Sequence, residues 1–224
     1  MVHGGRHVGG GTALIAVLAL IGTACASAQR AGVLLTGATM GTRYTVRVDD
    51  ARAPAAESSI GDLIVSTLER IDRLMSTYRE DSEVSALNRA PAHQRIPLSP
   101  ETVRVLSAAL ALSLDSGGAF DITVGPMVNV WGFGPSGNSN APPSDRVLAE
   151  ALRHVGSDKI ALDAAAGTAT KLDGDAYVDL SGIAKGYAVD AVVAALAAAG
   201  LRANERFERR VTPAYGRAVA AAGR

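Results

Sequence analysis

Apolar residues follow two rhythms along the chain. Thr42, Tyr44, Val46 and Val48 alternate with Arg43, Thr45 and Arg47, the period of a half-buried strand. Asp49 to Pro54 reads as a loop. From Ser59 the spacing becomes helical: Ile60, Leu63, Ile64, Leu68, Ile71 and Met75 predict a helix to about Ser76, with Ser59 and Asp62 as its cap. Ser99-Pro100-Glu101 predicts a second helix, with Ser as N-cap, Pro at the first position and Glu in the first turn. Val103, Leu106, Leu110 and Leu114 are its expected buried stripe, and Gly117-Gly118 its stop. A third helix is expected from Ser144 to Gly156, carrying Val147, Leu148, Ala151, Leu152 and Val155 inward. Short strands Lys159–Leu162 and Thr168–Leu172 flank a turn at Asp163–Gly167. Ala176–Leu180 reads as a strand entering a turn at Ser181-Gly182. A last helix runs from about Ala184 to Ala199, stopped by Gly200. Strands and helices mix without a regular βαβ alternation, so the expected fold class is α+β. No internal repeat is present.

The two ends do not fit this pattern. Residues 1–28 read as an export signal: Arg6 and His7, an apolar run Ala13–Ile21, then small residues. The run is well short of the roughly 20 residues of a membrane span. Two processing sites compete. Ala26-Ser27-Ala28 suits cleavage to a soluble product, whereas Thr23-Ala24-Cys25 resembles a lipobox whose cysteine becomes a lipid anchor, although Gly22 stands where a leucine is usual. Either predicts an exported protein, periplasmic or anchored to a bacterial membrane. Residues 29–202 form the expected domain. Residues 203–224 read as a basic tail without a hydrophobic period.

Composition removes several chemistries. Cys25 is the only cysteine, so the mature domain has no intramolecular disulfide and no thiolate metal cage. His93 and His154 lie too far apart in sequence for a recognisable zinc motif. Lys plus Arg and Asp plus Glu balance at 22 each, which removes the basic footprint of a nucleic-acid binder.

Four segments carry candidate chemistry. In Ser116-Gly117-Gly118-Ala119-Phe120-Asp121, the glycines let backbone N–H groups approach a ligand, and Asp121 suits ribose hydroxyls or a ring N–H. The same residues also read as a helix stop, with Asp121 capping the next segment. Trp131 and Phe133 follow, and aromatics at such spacing are more often core than stacking platform. In Asp179-Leu180-Ser181-Gly182-Ile183-Ala184-Lys185-Gly186, small residues at a helix N-terminus expose N–H groups to an anion, with Lys185 adding charge. The alternative is an ordinary strand-to-helix turn with a solvated lysine; it is not a Walker A loop. Met40, within Thr39-Met40-Gly41-Thr42, reads locally as a core gap-filler. Tyr78, within Ser76–Asn88, suits either stacking on an aromatic ligand or packing.

Taken together and in order, these segments resemble the ApbE-type flavin transferases. Thr39–Thr42, Ser76–Asn88, Gly118–Pro126 with Trp131-Gly132-Phe133-Gly134, and Asp179–Tyr187 carry the resemblance, which runs from about Gly37 to Arg202. It implies an α+β fold of the ApbE-like, T-fold-related kind. It also implies an enzyme that binds FAD as substrate and, with Mg²⁺, transfers the FMN moiety to a Thr or Ser hydroxyl of a target flavoprotein, releasing AMP. By resemblance, Met40, Tyr78, Ala119, Phe120, Asp121, Asp179 and Lys185 match FAD-contacting positions. Gly182 matches a position whose backbone carbonyl binds Mg²⁺, a ligand suited to a hard cation. The family's targets include subunits of membrane redox pumps and other exported flavoproteins.

The resemblance stops after about residue 202. Family members continue with a Gly-Gly-Asp segment, the remaining Mg²⁺ ligands and a His proposed as base, so catalytic residues are expected there and none is assigned here. Residues 203–224 match none of it, which suggests a frameshift and early stop. The chain as written is then expected to show little or no transfer and to fold poorly. Two rival readings stay open: a flavin-binding module without catalysis, and an exported scaffold in which all four segments are structural.

Overall fold

The computed structural model describes residues 32–50, 56–135 and 142–201. The expected signal at 1–28 and the tail at 203–224 lie outside the described residues. Mixed helices and strands make the fold α+β, as expected.

β1 (Val33–Thr39) and β2 (Thr42–Val48) form an antiparallel hairpin in register from Val33↔Val48 to Thr39↔Thr42. β1 does not stand out in the sequence because its outward positions are not consistently polar: Leu34 is 62% exposed. Met40 and Gly41 join the strands with φ of 49° and 70°. Two positive φ values give the turn a twist that matches the strands it joins. Met40 therefore occupies a position that non-glycine residues seldom take, while its side chain packs against the core edge.

α1 (Glu57–Met75) buries Ile60, Ile64, Leu68, Ile71 and Met75 of the predicted stripe, with Leu63 half-buried against the core. Its start is corrected: Ala56 is the N-cap and no side chain caps it, so Ser59 and Asp62 lie inside the helix. Glu57 in the first turn complements the helix dipole instead. α2 (Glu83–Arg89) follows, with Ser82 as a side-chain cap. The Glu83 carboxylate accepts from both N–H and Oγ of Ser99, and Ser99 Oγ in turn accepts from Thr102 N–H. This ties α2 to the start of α3 (Pro100–Asp115).

The predicted stripe of α3 is borne out only in part: Leu106 is buried, and Val103 and Leu110 are half-buried against the core. Thr102, Val105, Leu106, Ala108, Ala109 and Ser113 are buried, whereas Leu114 is 81% exposed. The small side chains mark the close-approach face, so the largest residues mislead about its phase. α4 (Gly125–Val130) packs against α5 (Asp145–Leu152). α5 is shorter than expected, because His154 and Val155 donate to carbonyls three residues back and tighten the chain out of the helix. Of its five expected inward residues only Ala151 is buried, and Leu152 is largely exposed.

β3 (Arg95–Pro97), β4 (Ile160–Asp163) and β5 (Thr168–Lys171) form an antiparallel sheet in the order β3-β5-β4. Asp163 Oδ1 accepts from Ala166 N–H, and Gly167 turns at φ 65°, which builds the predicted turn. Ala176–Leu180 is a further correction. It is extended, with Ala176, Val178 and Leu180 buried, yet it forms only an isolated parallel bridge, Val124↔Tyr177. α6 (Ala184–Ala198) ends on Gly200 at φ 74° and lies along α1. Its alanines permit that close approach, and Tyr187 donates its hydroxyl to Glu101 of α3. No helix of the described residues is long and apolar enough to cross a membrane.

Candidate functional site

The β1–β2 turn, the loop after α1 and the first turn of α6 converge on an open cavity of about 490 Å³. Met40 reaches it from the hairpin, Ser76, Tyr78 and Arg79 from the loop, and Ser181 and Lys185 from the start of α6. The sequence separates these segments widely; packing of α1 on α6 brings them together. Tyr78 is 67% exposed and donates its hydroxyl to the Phe133 carbonyl at 2.6 Å. Arg79 is committed to acids: its guanidinium forks onto Asp81 and lies 3.9 Å from Asp72. That fork raises the Arg79 pKa and lowers that of Asp81. Lys185 is exposed and makes no hydrogen bond or ion pair among the described residues.

No side chain caps the N-terminus of α6. First-turn N–H groups of a helix need partners, and the dipole favours an anion there. The cavity therefore brings together an uncommitted ammonium, a helix N-terminus and an exposed phenol ring. Such a site suits a ligand with both a phosphate and an aromatic ring.

The remaining sequence-derived positions do not line the cavity. Phe120 lies against Gly182: a Cβ on that glycine would come within 3.1 Å of Phe120 Cε2. Ala119 is exposed. Asp121 Oδ1 accepts from Thr123 N–H and Oγ–H, and Thr123 Oγ in turn accepts from Gly156 N–H. Asp179 Oδ1 accepts from Ser181 N–H and Oγ–H. Each aspartate thus uses one oxygen to shape its own turn. Trp131 and Phe133 are not core: they are 43% and 74% exposed, carried outward by the turn at Gly132 beyond α4.

Two residues without a role in the sequence reading support this region. The side-chain amide of Asn88 pairs with both polar groups of the Val178 backbone. Lys171 is 1% exposed and donates to the carbonyls of Asn88 and Gly174. Burial lowers its pKa. Burial also raises the pKa of Tyr177, with Asp179 adding to the effect.

The donors at the cavity do not by themselves make a magnesium site. Mg²⁺ seeks an octahedron of oxygens, and among the described residues no group of three His, Cys, Asp or Glu ligands gathers at the cavity. The cluster of His154, Asp173 and Asp175 lies elsewhere, with candidate ligand atoms within 4.8 Å of one another. Lys159 Nζ already sits 3.2 Å from Asp173 Oδ2, and His154 Nδ1 lies 2.9 Å from the same oxygen. The hydrogen bond to His154 is the main cause that holds the Asp173 pKa down at about 2. This cluster is a charge-compensated brace.

The ApbE family profile matches residues 40–204. The chain is 39% identical over 183 residues to the FAD:protein FMN transferase of Haemophilus influenzae, covering 80% of this chain and 53% of that protein. It is 35% identical to the Vibrio cholerae protein of the same name, covering 84% of this chain and 56% of the relative. The chain spans about half the length of the curated relatives it matches. Among solved structures, it resembles the flavin transferase ApbE from Vibrio cholerae at TM-score 0.72 and 36% identity, over 76% of this chain and 55% of that one. It also resembles the Pseudomonas stutzeri flavinyl transferase ApbE in its apo form, at TM-score 0.71 and 34% identity, over 78% and 57%.

Proposed function

The chain belongs to the ApbE family, and from that membership we propose that it forms the FAD-binding part of a FAD:protein FMN transferase. The observation that carries the reading is the cavity that gathers Met40, Tyr78 and Lys185 at the uncapped start of α6. In this reading the FAD diphosphate lies at the α6 N-terminus beside Lys185, and an aromatic ring of FAD stacks on Tyr78. Ala119, Phe120, Asp121 and Asp179 border the ligand from the neighbouring turns.

The proposed reaction breaks the P–O–P bridge of FAD. The phosphorus of the FMN half bonds to a Thr or Ser oxygen of an acceptor flavoprotein, AMP leaves, and the hydroxyl proton passes to a base. Mg²⁺ belongs to the proposal as the Lewis acid such a displacement uses. Gly182 would give it one carbonyl, and the described residues at the cavity do not complete a site. The chain's own residues bind and orient the diphosphate, and positioning of this kind accounts for much of phosphoryl-transfer catalysis. Export belongs to the proposal too, with Cys25 as lipid anchor or a mature start after Ala28; mass spectrometry of the mature N-terminus decides between them.

The test is incubation with FAD, Mg²⁺ and an acceptor flavoprotein, with flavin titration of the same sample. Flavin fluorescence fixed to the acceptor demonstrates transfer. FAD binding without labelling leaves a flavin-binding module. A folded chain that binds no FAD refutes the proposal and favours a structural scaffold.

A further inference from the structure

The segment Ala176–Leu180 alternates as a strand does but, among the described residues, has no strand paired on one side. Ala176, Val178 and Leu180 are buried at 1%, 0% and 0% exposure, while Tyr177, Asp179 and Ser181 turn the other way. On one edge it follows the chain around Ile122–Val124: Asp179 N–H donates to Ile122 O at 2.7 Å, and Tyr177 bridges Val124. In extended chain the polar groups of the next residue face the opposite edge. There the Asn88 side chain stands in for a strand. Its Oδ1 accepts from Val178 N–H at 2.7 Å, and its Nδ2 donates to Val178 O at 2.9 Å. Both bonds fit only one orientation of the amide, so its direction is fixed by its partners.

Asn88 is itself held. Lys171 Nζ donates to Asn88 O at 2.8 Å and to Gly174 O at 2.6 Å. A buried ammonium is stable only where such bonds replace water, so Lys171 ties α2 to the chain leading into the extended segment. The other end continues into the site. Leu180 O accepts from the N–H groups of Ile183 and Ala184, so the first turn of α6 hangs from this segment. A shift at Val178 is passed to Ser181, the α6 N-terminus and Lys185.

We propose that Asn88, braced by Lys171, is a positioning residue that sets how the Asp179–Lys185 segment meets the FAD diphosphate. The role rests on the flavin-site reading. Asn88 lines no part of the cavity and acts through the Val178 backbone.

The experiment compares the unmodified 224-residue chain with Asn88→Ala, Asn88→Asp and, as a core control away from the segment, Val105→Ala. Melting temperature, FAD affinity by flavin fluorescence and amide hydrogen exchange across residues 177–184 are read on each. Asn88→Ala should weaken FAD binding about tenfold or more and speed exchange of the Val178 and Asp179 amides by a similar factor. Asn88→Asp keeps the acceptor and loses the donor, so it should fall between. Val105→Ala should lower the melting temperature and leave the FAD affinity of the folded protein within about twofold. Folded Asn88→Ala with unchanged FAD affinity, or with unchanged exchange at Val178, overturns the proposal alone. An equal loss of affinity in Val105→Ala also overturns it, because the effect would then be general destabilisation. A folded unmodified chain that binds no FAD overturns the flavin reading and this proposal with it.

Discussion

Replacing Lys185 with methionine removes one charge from the cavity and little else. The side chain is exposed and has no hydrogen bond or ion pair among the described residues. Methionine keeps an unbranched apolar stem and suits a helix. Folding stability should therefore move by no more than about 0.5 kcal/mol, and the melting temperature by about 2 °C or less. Ligand binding should respond far more. A hydrogen bond to a charged group is worth about 1.5–3 kcal/mol. Exposure of Lys185 puts this contact near the lower end, and the α6 N-terminus still attracts the phosphate in the variant. A loss of about 1–2 kcal/mol, or roughly 5- to 30-fold in Kd, is expected. The assay is FAD titration by flavin fluorescence at two salt concentrations, with riboflavin as a ligand that lacks phosphate. FAD binding should weaken and become less sensitive to salt, while riboflavin binding stays unchanged. FAD affinity within about twofold of the unmodified chain, or an equal loss for riboflavin, refutes the placement of the diphosphate beside Lys185.

Tyr78 separates ring from hydroxyl. Tyr78→Phe loses the bond to the Phe133 carbonyl and should keep FAD affinity within about threefold, whereas Tyr78→Ala should lose stacking worth about 1–3 kcal/mol; parallel FAD titrations read both. Gly125→Ala would place a Cβ 2.3 Å from Tyr177 Cδ1 and 2.6 Å from its carbonyl oxygen. That overlap should cost about 1–3 kcal/mol and lower the melting temperature by about 2–12 °C in a scan. Asp173, whose pKa is held at about 2, binds protons less readily folded than unfolded. Its contribution to stability is present above the ordinary carboxylate pKa of about 3.9 and is lost as pH falls towards 2. Asp173→Asn should flatten the acid limb of stability against pH, measured by urea unfolding from about pH 5 to about pH 2, a range that spans the folded and unfolded pKa values.

The sequence is most legible where one residue type fixes the local geometry. The stripe of α1 is read correctly from Ile60 to Met75 because branched and long apolar residues occupy nearly every inward position. α6 is bounded almost to the residue, since Gly200 takes a positive φ that ends it. α3 is read only in part, because its buried face includes the small residues Ala108, Ala109 and Ser113 beside Leu106, and Leu114 points to solvent despite its size. β1 is missed for the converse reason, with Leu34 on the outer face. For the candidate site, Met40, Tyr78 and Lys185 are identified through the order of segments, and only the packing of α1 on α6 shows that they share one cavity. Asn88 escapes altogether: its partner Val178 is 90 residues away, and an alternating pattern shows which side chains are buried but not what pairs with the backbone.

The measurement that bears most directly on the flavin site is an equilibrium titration of FAD into the folded 224-residue chain, beside the double variant carrying Tyr78→Ala and Lys185→Met. Circular dichroism should show the same fold in both. The unmodified chain should change flavin fluorescence saturably at one site per chain, and the double variant should bind at least about tenfold more weakly. A folded unmodified chain with no saturable change, or a double variant that binds FAD equally well, contradicts a flavin site between Met40, Tyr78 and Lys185.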